Sequence, residues 1–512
     1  MGLLNEPSFL DILGILAVIA VPIISYFKWR YTYWDKRNLP YLEPCLIVGT
    51  MENPFRRTKS VGFWIKGNYD DLKAQGHKHG GLYNFALPVY LPVDPEYVKN
   101  VMQKDFQYFT DRGVFYNEKD DPLSAHLFAI GGQKWRNLRT KLTPTFTSGK
   151  MKMMFDFLIQ CSIPMKELVS EHAKNNQEID IKEIVACFTT DIIGSCAFGL
   201  DCNSFKSGEG EFRKYGKQIF QRSKLMQVAS LLFISRPNLG RFLKMRQLPK
   251  ETTDFFLKVI KDTVSYRETN KVVRKDMLQI LIDLKNNKSD TEVDKHDGTA
   301  LTIEEVAAQA MVFFIAGFET SSTTMTYCLF ELASNKDIQQ KVRDEINSVL
   351  AKHNNKITYE AISDMHYMTQ VIEETLRKYP PVPHVTRKCV KNYQVPNTDV
   401  VIEEGTSVFI SVLGLHRDPE FYPDPEKFDP DRFSNENKKN IHPFTYMPFG
   451  EGPRICIGLR FGMMQTKVGL TVLLKNFVFS VNRNTKVPLE IDPYKVVYTT
   501  KGTIWLDAKK VA

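Results

Sequence analysis

The spacing of apolar residues divides the chain into a long helical part and a shorter part with strands. Over most of residues 60 to 380, apolar residues recur at intervals of three and four, as in amphipathic helices. The clearest helix follows Thr302, where Thr302-x-x-Glu305 forms a capping box ahead of a mostly apolar run to about Ser334. Short β-branched stretches predict strands at about 383–402, 406–412 and 494–506. The pattern therefore predicts a mainly α fold with small β-sheets.

An apolar stretch near the N-terminus predicts a membrane anchor. The stretch 9–27 approaches the roughly 20 residues of a membrane-spanning helix, and 12–27 carries no charged side chain. Acidic residues precede it and basic residues follow it, so the positive-inside rule puts the downstream chain in the cytosol. A cleaved signal peptide, the alternative, is expected to begin with a basic region, which is missing here. We expect a single-pass anchor at 1–28, a membrane-proximal neck at 29–50 and one large domain at 51–512.

Composition and cysteine spacing exclude several classes of protein. The chain has 512 residues, of which 43% are hydrophobic and 25% charged, so it is neither a disordered chain nor a multi-span membrane protein. Its 8 cysteines form no CxxC pattern, which argues against a disulfide scaffold and a zinc site. The net charge of +9 is too small an excess to indicate nucleic-acid binding. It suits an anionic membrane face or an acidic protein partner.

One cysteine, Cys456, is set in an unusual loop. It lies in the segment PFGEGPRICIG, 448–458, where a loop with glycines at 450, 452 and 458 leads into a helical pattern. Glycines permit backbone shapes in which amide N–H groups point at a sulfur. Those donors and the positive end of the following helix favour a thiolate. A lone thiolate with no second ligand nearby suits haem iron, because the porphyrin already supplies four ligands.

The same segment resembles the haem-binding signature of the cytochrome P450 family at every fixed position. The matching positions are Phe449, Gly452, Arg454, Cys456 and Gly458. The resemblance implies that Cys456 is the axial ligand of haem b (iron protoporphyrin IX), that Arg454 pairs with a haem propionate and that Phe449 packs against the sulfur. Gly450 and Gly458 would shape the loop around the cofactor. It also implies the P450 fold, with 51–512 as the catalytic domain.

Two further motifs of the family stand at the expected places. Glu374-x-x-Arg377 shares one helical face and is followed by the segment FDPDRF, 428–433, which contains Arg432. The resemblance implies a buried, structural cluster of Glu374, Arg377 and Arg432. Trp135-x-x-x-Arg139 likewise shares one helical face. In the family this helix reaches the haem propionates, so the cofactor-binding set gains the residues Trp135, Arg139 and Arg387.

The long apolar helix carries the segment AGFETS, 316–321, which puts an acid and a hydroxyl in an apolar setting. It is similar to the oxygen-activation motif of the family. The resemblance implies that Thr320 hydrogen-bonds dioxygen, that Glu319 gates protons from solvent, and that Ala316 lies beside the cofactor. His416 and His442 are expected to be ordinary core or surface histidines, because the iron needs an open sixth position.

The resemblance covers nearly the whole chain after the anchor and is greatest to insect microsomal P450s that metabolise xenobiotics. It implies a monooxygenase of the endoplasmic reticulum membrane that takes O2 and NADPH-derived electrons through NADPH–cytochrome P450 reductase, in some members with cytochrome b5. Residues Lys134, Arg136 and Arg460 are candidates for docking that acidic partner. The alternatives are a P450-fold isomerase or dehydratase acting on peroxides without a reductase, and a non-catalytic membrane haem-binding protein. Glu319 and Thr320 favour the monooxygenase.

The substrate is expected to be a lipophilic small molecule, either a foreign compound or an endogenous hormone or lipid. The resemblance implies pocket walls built from apolar residues, namely Val114, Phe115, Phe128, Ile315, Ala316, Val382, Pro383 and Val497. A second apolar stretch, 226–234, is expected to be a core helix, with contact to the membrane surface as the alternative.

Overall fold

Helices make up most of the chain. The computed structural model describes residues 9–52, 57–206, 210–220, 237–286 and 300–511. Its α-helices are α1 (Phe9–Arg30), α2 (Val61–Ala74), α3 (Pro95–Lys99), α4 (Gly132–Leu142), α5 (Ser148–Lys174), α6 (Ile181–Ile193), α7 (Glu211–Phe220), α8 (Pro237–Phe242), α9 (Lys250–Thr269), α10 (Met277–Lys285), α11 (Ile303–Ser334), α12 (Lys336–Lys352), α13 (Tyr359–Ser363), α14 (His366–Lys378), α15 (Val412–His416) and α16 (Leu459–Asn476). The prediction of a mainly α fold with small sheets is confirmed.

The strands form small sheets at the side of the helical body. They are β1 (His79–Asn84), β2 (Leu87–Pro92), β3 (Ile179–Asp180), β4 (Val385–Lys388), β5 (Tyr393–Gln394), β6 (Val401–Ile402), β7 (Ser407–Ile410), β8 (Phe477–Val481) and β9 (Trp505–Lys510). Their order is β1-β2-β7-β4 in one sheet, β3-β9-β8 in another and β5-β6 in the smallest. Antiparallel pairing of β4 with β7 sets Arg387 opposite Val408.

The structure differs from the predicted elements in two details. The hairpin of β1 and β2 lies inside the part of the chain whose pattern predicts helices. Both strands are buried over most of their length, so they lack the alternation that marks a half-exposed strand. The strand predicted at 494–506 starts only at Trp505, and the residues before it form a loop with a single bridge between Ile491 and Thr500.

The predicted long helix is confirmed as α11, the central helix of the fold. The Thr302 Oγ1 atom accepts a hydrogen bond from the Glu305 backbone N–H at 3.1 Å, and the Glu305 carboxylate accepts one from the Thr302 N–H at 3.0 Å. These reciprocal bonds fix the start of the helix. Because nearly all of its faces are buried, α11 packs against helices on several sides.

The hydrophobic interior has a larger and a smaller part. The larger core surrounds α11 and includes residues of α5, α6, α14 and α16. The smaller core lies under β1, β2 and β7, against α2. Residues of both cores, such as Phe313 of the larger and Met447 of the smaller, line one internal cavity.

The N-terminal helix α1 contains most of the stretch for which the sequence predicts an anchor. Within residues 9–52, 57–206, 210–220, 237–286 and 300–511, no helix combines the length and hydrophobicity needed to cross a membrane. The anchor and the domain boundaries drawn from it stay predictions. The apolar stretch 226–234 lies outside the described residues.

Candidate haem-binding site

The loop before α16 holds Cys456 in place. Gly450 and Gly452 have φ angles of +73° and +70°, in the left-handed region that favours glycine. A Cβ atom on Gly452 would lie 1.9 Å from the carbonyl oxygen of Met102, so no other residue fits there. The Cys456 N–H donates to the Phe449 carbonyl at 2.9 Å, which closes the turn. The loop therefore presents the cysteine by backbone geometry that glycine alone provides.

The sulfur of Cys456 faces the internal cavity. Burial raises the pKa of its thiol, while a hydrogen bond from the backbone of Gly458 and the charges of Arg112 and Arg139 lower it. The sequence predicts that backbone donors favour the thiolate, and the Gly458 donor is present. In the protein alone, burial outweighs it, because an anion in an apolar interior loses its hydration. A positively charged partner of the sulfur would reverse this balance.

The cavity has a volume of about 270 Å³ and lies between the Cys456 loop and α11. Its walls are mostly apolar, which suits a flat or lipophilic occupant. It brings together many residues that the sequence predicts for the cofactor or the substrate, namely Phe128, Trp135, Arg139, Ala316, Thr320, Val382, Arg387, Phe449, Gly450, Arg454, Cys456 and Gly458.

Several guanidinium groups converge on the same side of this cavity. Arg387 on β4 and Arg454 in the cysteine loop are 1% and 2% exposed, and Arg139 on α4 also faces the cavity. The Arg454 guanidinium carbon lies 4.1 Å from the centre of the Trp135 ring. Arg112, which the sequence analysis missed, joins them and donates from Nη2 to the Arg454 carbonyl at 3.0 Å.

In the part of the chain that the structure describes, these arginines form no ion pair with a carboxylate. The hydrogen bonds of the buried pair go to backbone carbonyls, from Arg387 to Thr386 at 2.9 Å and from Arg454 to Ile130 at 2.8 Å. Nε of Arg112, Nε of Arg387, and Nε and Nη1 of Arg454 are buried without a hydrogen-bond partner among the described residues. Buried charged groups are normally paired.

The pKa values of these arginines are lowered, as expected for positive charges that are buried close together. Burial and the neighbouring Arg112 lower the pKa of Arg454 to about 9. Burial lowers the pKa of Arg112 to about 10, with the charge of Arg139 acting in the same direction and Cys456 opposing it. The pKa of Arg387 falls well below its usual range because of burial and of the charges of Arg112 and Arg454. A ligand with two carboxylates and a metal for the sulfur fits these residues, and haem has both.

Thr320 on α11 faces the cavity from the side opposite the cysteine loop. Its hydroxyl donates to the Ala316 carbonyl at 2.6 Å, one turn earlier in the same helix. The next carbonyl, that of Gly317, accepts a hydrogen bond from the Gln465 side chain of α16 at 2.8 Å.

Glu319 lies on a different face of α11 from Thr320. Its carboxylate forms an ion pair with Lys182 of α6 at 2.9 Å, and both side chains are largely buried. The Lys182 ammonium also donates to the Thr499 hydroxyl at 2.6 Å. These residues line a second pocket, which is polar and separate from the cavity of Cys456.

The remaining residues predicted for the substrate lie outside the lining of the cavity. Phe115 packs against Gly240 of α8, and Pro383 packs against Gly62 of α2. Ile315 is on α11 and packs into the larger core, whereas Val497 lines the polar pocket beside Glu319. Val114 is half-buried in the loop before α4. Their role in binding stays a prediction.

Glu374, Arg377 and Arg432 come together away from the cavity. Arg377 donates to the two Glu374 oxygens at 2.6 and 2.8 Å, and both residues are fully buried. The Nε atom of Arg432 lies 3.6 Å from Glu374. Nearby, His416 is buried and neutral, with burial lowering its pKa to about 3. Its Nε2 accepts from the Met447 N–H at 2.8 Å, so it supports the start of the cysteine loop.

A cysteine sulfur, an apolar cavity and guanidinium groups without a carboxylate partner among the described residues are features that fit a haem-binding site. Comparison with known proteins agrees, because a family model described as Cytochrome P450 matches residues 67–506. The chain belongs to the cytochrome P450 family and is a P450 monooxygenase. The family binds haem and generally works with redox partners and small-molecule substrates.

The similar relatives are insect proteins that match over nearly their whole length. Probable cytochrome P450 6a14 of Drosophila melanogaster is 43% identical over 493 residues, 94% of this chain and 96% of the relative. Cytochrome P450 6A1 of Musca domestica is 41% identical over 503 residues, 98% of this chain and 97% of the relative. Cytochrome P450 6a2 of Drosophila melanogaster is 40% identical over 501 residues, 97% of this chain and 99% of the relative.

Proposed function

We propose that this chain is a microsomal haem-thiolate monooxygenase that inserts one atom of O2 into lipophilic small molecules, with Cys456 as the iron ligand. The observation that carries the proposal is the group of buried, unpaired guanidinium nitrogens that shares a cavity with the Cys456 sulfur. Iron would supply the positive charge that a Cys456 thiolate facing the cavity lacks. Two propionates would supply the negative charge that the arginines lack.

The residues around the cavity divide the work of holding haem b. Cys456 would bind the iron, and Phe449, whose carbonyl accepts from the Cys456 N–H, would cover the sulfur. Arg112, Arg139 and Arg387 would bind the propionates together with Arg454 and Trp135, which already stack on each other. Gly450, Gly458 and Ala316 would leave room for the ring. Haem b supplies the iron at which dioxygen is activated by two successive electrons.

Thr320 and Glu319 would move protons into the cavity. The Thr320 hydroxyl donates to Ala316, so the lone pairs of Oγ1 remain free to accept a hydrogen bond from a water molecule on the cavity side. Glu319 must first exchange its ion pair with Lys182 for a contact with water or with Thr320. The polar pocket behind Glu319 would supply that water, and Val497 lines this pocket. This arrangement favours dioxygen chemistry over peroxide rearrangement, which needs no proton delivery of this kind.

The apolar walls favour a lipophilic substrate. Phe128 and Val382 are 43% exposed, and both line the cavity, so they would contact the substrate directly. The other predicted wall residues, Val114, Phe115, Ile315 and Pro383, would act from behind the lining. Foreign compounds and endogenous hormones or lipids are both of this class.

The electrons would come from NADPH through the membrane-bound NADPH–cytochrome P450 reductase, with cytochrome b5 as a second donor. Arg136 is exposed on α4, and Arg460 lies on α16 near Ser148, so both can meet an acidic partner. Lys134 is already paired with Glu118 at 2.8 Å. We therefore assign the docking patch to Arg136 and Arg460. The endoplasmic reticulum membrane, with the domain in the cytosol, is the compartment of that partner.

The absorption spectrum of the reduced protein with carbon monoxide tests the proposal. Wild-type protein and a Cys45→Ser control, altered at an exposed thiol, should both give the band of thiolate-bound haem. Cys456→Ser should lose it. A wild-type protein without the band, or a Cys456→Ser variant that keeps it, would contradict the assignment. Product formation from lipophilic compounds that persists without NADPH and reductase would favour the isomerase instead.

A further inference from the structure

Three buried tyrosines form an aromatic cluster directly behind the wall of the cavity. Tyr327 of α11, Tyr379 after α14 and Tyr498 in the loop before β9 are 1%, 7% and 3% exposed. The rings of Tyr327 and Tyr379 are stacked in parallel, with their centroids 4.3 Å apart. The Tyr498 ring lies 5.8 Å from that of Tyr327 and 6.1 Å from that of Tyr379. The three rings are therefore in contact with one another.

The chain joins this tyrosine cluster to the lining of the cavity. Leu376, which lines the cavity, precedes Tyr379 by three residues and thus by about one helical turn. The Tyr498 N–H donates to the carbonyl of Pro381, another lining residue, at 3.0 Å. The tyrosines themselves are not among the residues that line the cavity. They stand one layer of side chains behind it.

The three phenol groups differ in whether they can release a proton. The Tyr379 hydroxyl donates to the carboxylate of Glu331 on α11. The Tyr498 hydroxyl accepts from the Arg417 guanidinium at 3.1 Å, so its neighbour is a cation. The Tyr327 hydroxyl is buried without a hydrogen-bond partner among the described residues. Of the three phenols, that of Tyr379 has a carboxylate in place to take its proton.

A buried phenol becomes a good electron donor when its proton can leave together with the electron. If the proton stayed, the oxidised ring would carry a positive charge in an apolar interior, which is costly. Transfer of the proton to Glu331 leaves the ring neutral. The positive charge then remains on Lys378, which is paired with Glu331 at 2.8 Å and whose side chain is partly exposed to solvent. This arrangement lowers the cost of oxidising Tyr379.

We propose that Tyr379 is a protective electron donor, which reduces the haem by one electron when peroxide has oxidised it in the absence of substrate. The phenolic proton moves to Glu331. A small reductant of the ascorbate or thiol class returns the electron, and Glu331 returns the proton. Two such cycles, with two protons from solvent, reduce one organic hydroperoxide to its alcohol and water. The inference rests on the proposed function for the presence of haem at Cys456.

Electron paramagnetic resonance of the haem-loaded protein tests the proposal. The ferric protein is mixed with cumene hydroperoxide without substrate and frozen rapidly. Wild-type protein should give the signal of a tyrosyl radical, and Tyr379→Phe, which keeps the stacked ring, should lose most of it. Under peroxide the haem absorption band of Tyr379→Phe should also bleach faster than that of wild type, because the oxidising equivalent stays at the cofactor.

Tyr69→Phe is the matched control. Tyr69 is buried in the smaller core, and its hydroxyl donates to the Asp418 carboxylate at 2.7 Å, so it has the same chemistry away from the cavity lining. Its variant should match wild type in radical signal and in bleaching. An unchanged signal in Tyr379→Phe, or an equal loss in Tyr69→Phe, would overturn the proposal.

Glu331→Gln is the second variant and serves if Tyr379→Phe fails to bind haem. It keeps the tyrosine and removes the proton acceptor, so the radical signal should fall, and an unchanged signal would contradict the assigned role. Ascorbate added to wild type should remove the radical and slow the bleaching. The carbon monoxide band is recorded on the same samples. A wild-type protein with that band but without a tyrosyl radical overturns the electron donor alone, whereas one without the band overturns the proposed function as well.

Discussion

The arginine on α14 and the arginine on β4 are buried alike, but they differ in their partners. Arg377 is 0% exposed and Arg387 is 1% exposed. Arg377 binds both oxygens of Glu374 and donates to the carbonyls of His416 at 3.0 Å and Pro425 at 2.8 Å. Arg387 has one hydrogen bond, to a neighbouring carbonyl, and a buried Nε without a partner in the described part of the chain.

This difference separates a structural cluster from a binding site. The charges of Glu374 and Arg377 compensate each other, so both residues can be buried without a bound ligand. Arg112, Arg387 and Arg454 carry charges of the same sign. The charge of Arg112 lowers the pKa of both Arg387 and Arg454, and the charge of Arg454 also lowers that of Arg387. Such an arrangement costs the protein stability unless an anionic ligand is bound.

The largest effect is expected from breaking the structural cluster. Glu374→Ala leaves Arg377 as an uncompensated buried charge, which should lower the free energy of unfolding by about 3–5 kcal/mol. The loss should be similar with and without haem, because the cluster does not touch the cavity. Urea unfolding followed by circular dichroism measures it. Glu373→Ala, one residue earlier and paired with the half-exposed Lys438, is the control and should change stability little. Equal losses in the two variants would contradict the contrast.

Removing an arginine from the proposed binding site should not lower the free energy of unfolding of the haem-free chain, and can raise it. Arg387→Met takes away a cation that is repelled by Arg112 and Arg454, so the haem-free protein should be as stable as wild type or more stable. Haem should dissociate about tenfold faster or more, since a charge-assisted bond is lost. Transfer of haem to a scavenger protein measures this rate. Arg377→Met makes the same chemical change in the structural cluster and should destabilise both forms. A haem-free Arg387→Met chain destabilised as much as Arg377→Met would break the comparison.

A smaller effect is expected on the α11 side of the cavity, where Thr320 is proposed to take part in proton transfer. Thr320→Ala removes the hydroxyl that would hydrogen-bond the groups delivering protons, so electron use should continue while product per NADPH falls about tenfold. Thr326→Ala is a matched control, because its hydroxyl makes the same type of bond, to Ser322 at 2.7 Å, on a buried face of the same helix. NADPH consumption, peroxide and product are measured together. Unchanged coupling in Thr320→Ala would count against its assigned role.

The sequence predicts motifs formed by neighbouring residues better than contacts between segments that are distant along the chain. The cysteine loop and the pair Glu374-x-x-Arg377 are local, since spacing alone puts their residues together. The capping box of α11 is also local. Arg112 was missed because it stands in an irregular loop, where no periodicity shows which way a side chain faces. Its approach to Arg454 depends on how distant segments pack.

The residues predicted to contact the substrate also show that sequence alone does not determine which way a loop side chain faces. Val497 was predicted as a wall residue in a strand, but the strand begins only at Trp505 and Val497 faces the polar pocket. Pro383 packs against α2, although its neighbour Val382 lines the cavity. In a loop, adjacent residues point in unrelated directions. Motif resemblance therefore points to a segment, whereas the packing of the loop decides which of its side chains line the cavity.

The smallest expected effect is on substrate binding, and it distinguishes a residue that lines the cavity from one that lines the polar pocket. Phe128 lines the cavity and lies under the Arg112 guanidinium, 4.0 Å from its carbon. Phe128→Ala should weaken the binding of lipophilic substrates about threefold to tenfold, because apolar contact and a cation–π contact are lost together. Val497→Ala should change binding less than about twofold, since a side chain in the polar pocket has no apolar ligand to touch. Spectral titration with one lipophilic compound measures both. If Val497→Ala weakened binding as much as Phe128→Ala, the substrate would have to extend past Thr320 into the pocket of Glu319 and Lys182, and the two pockets would act as one.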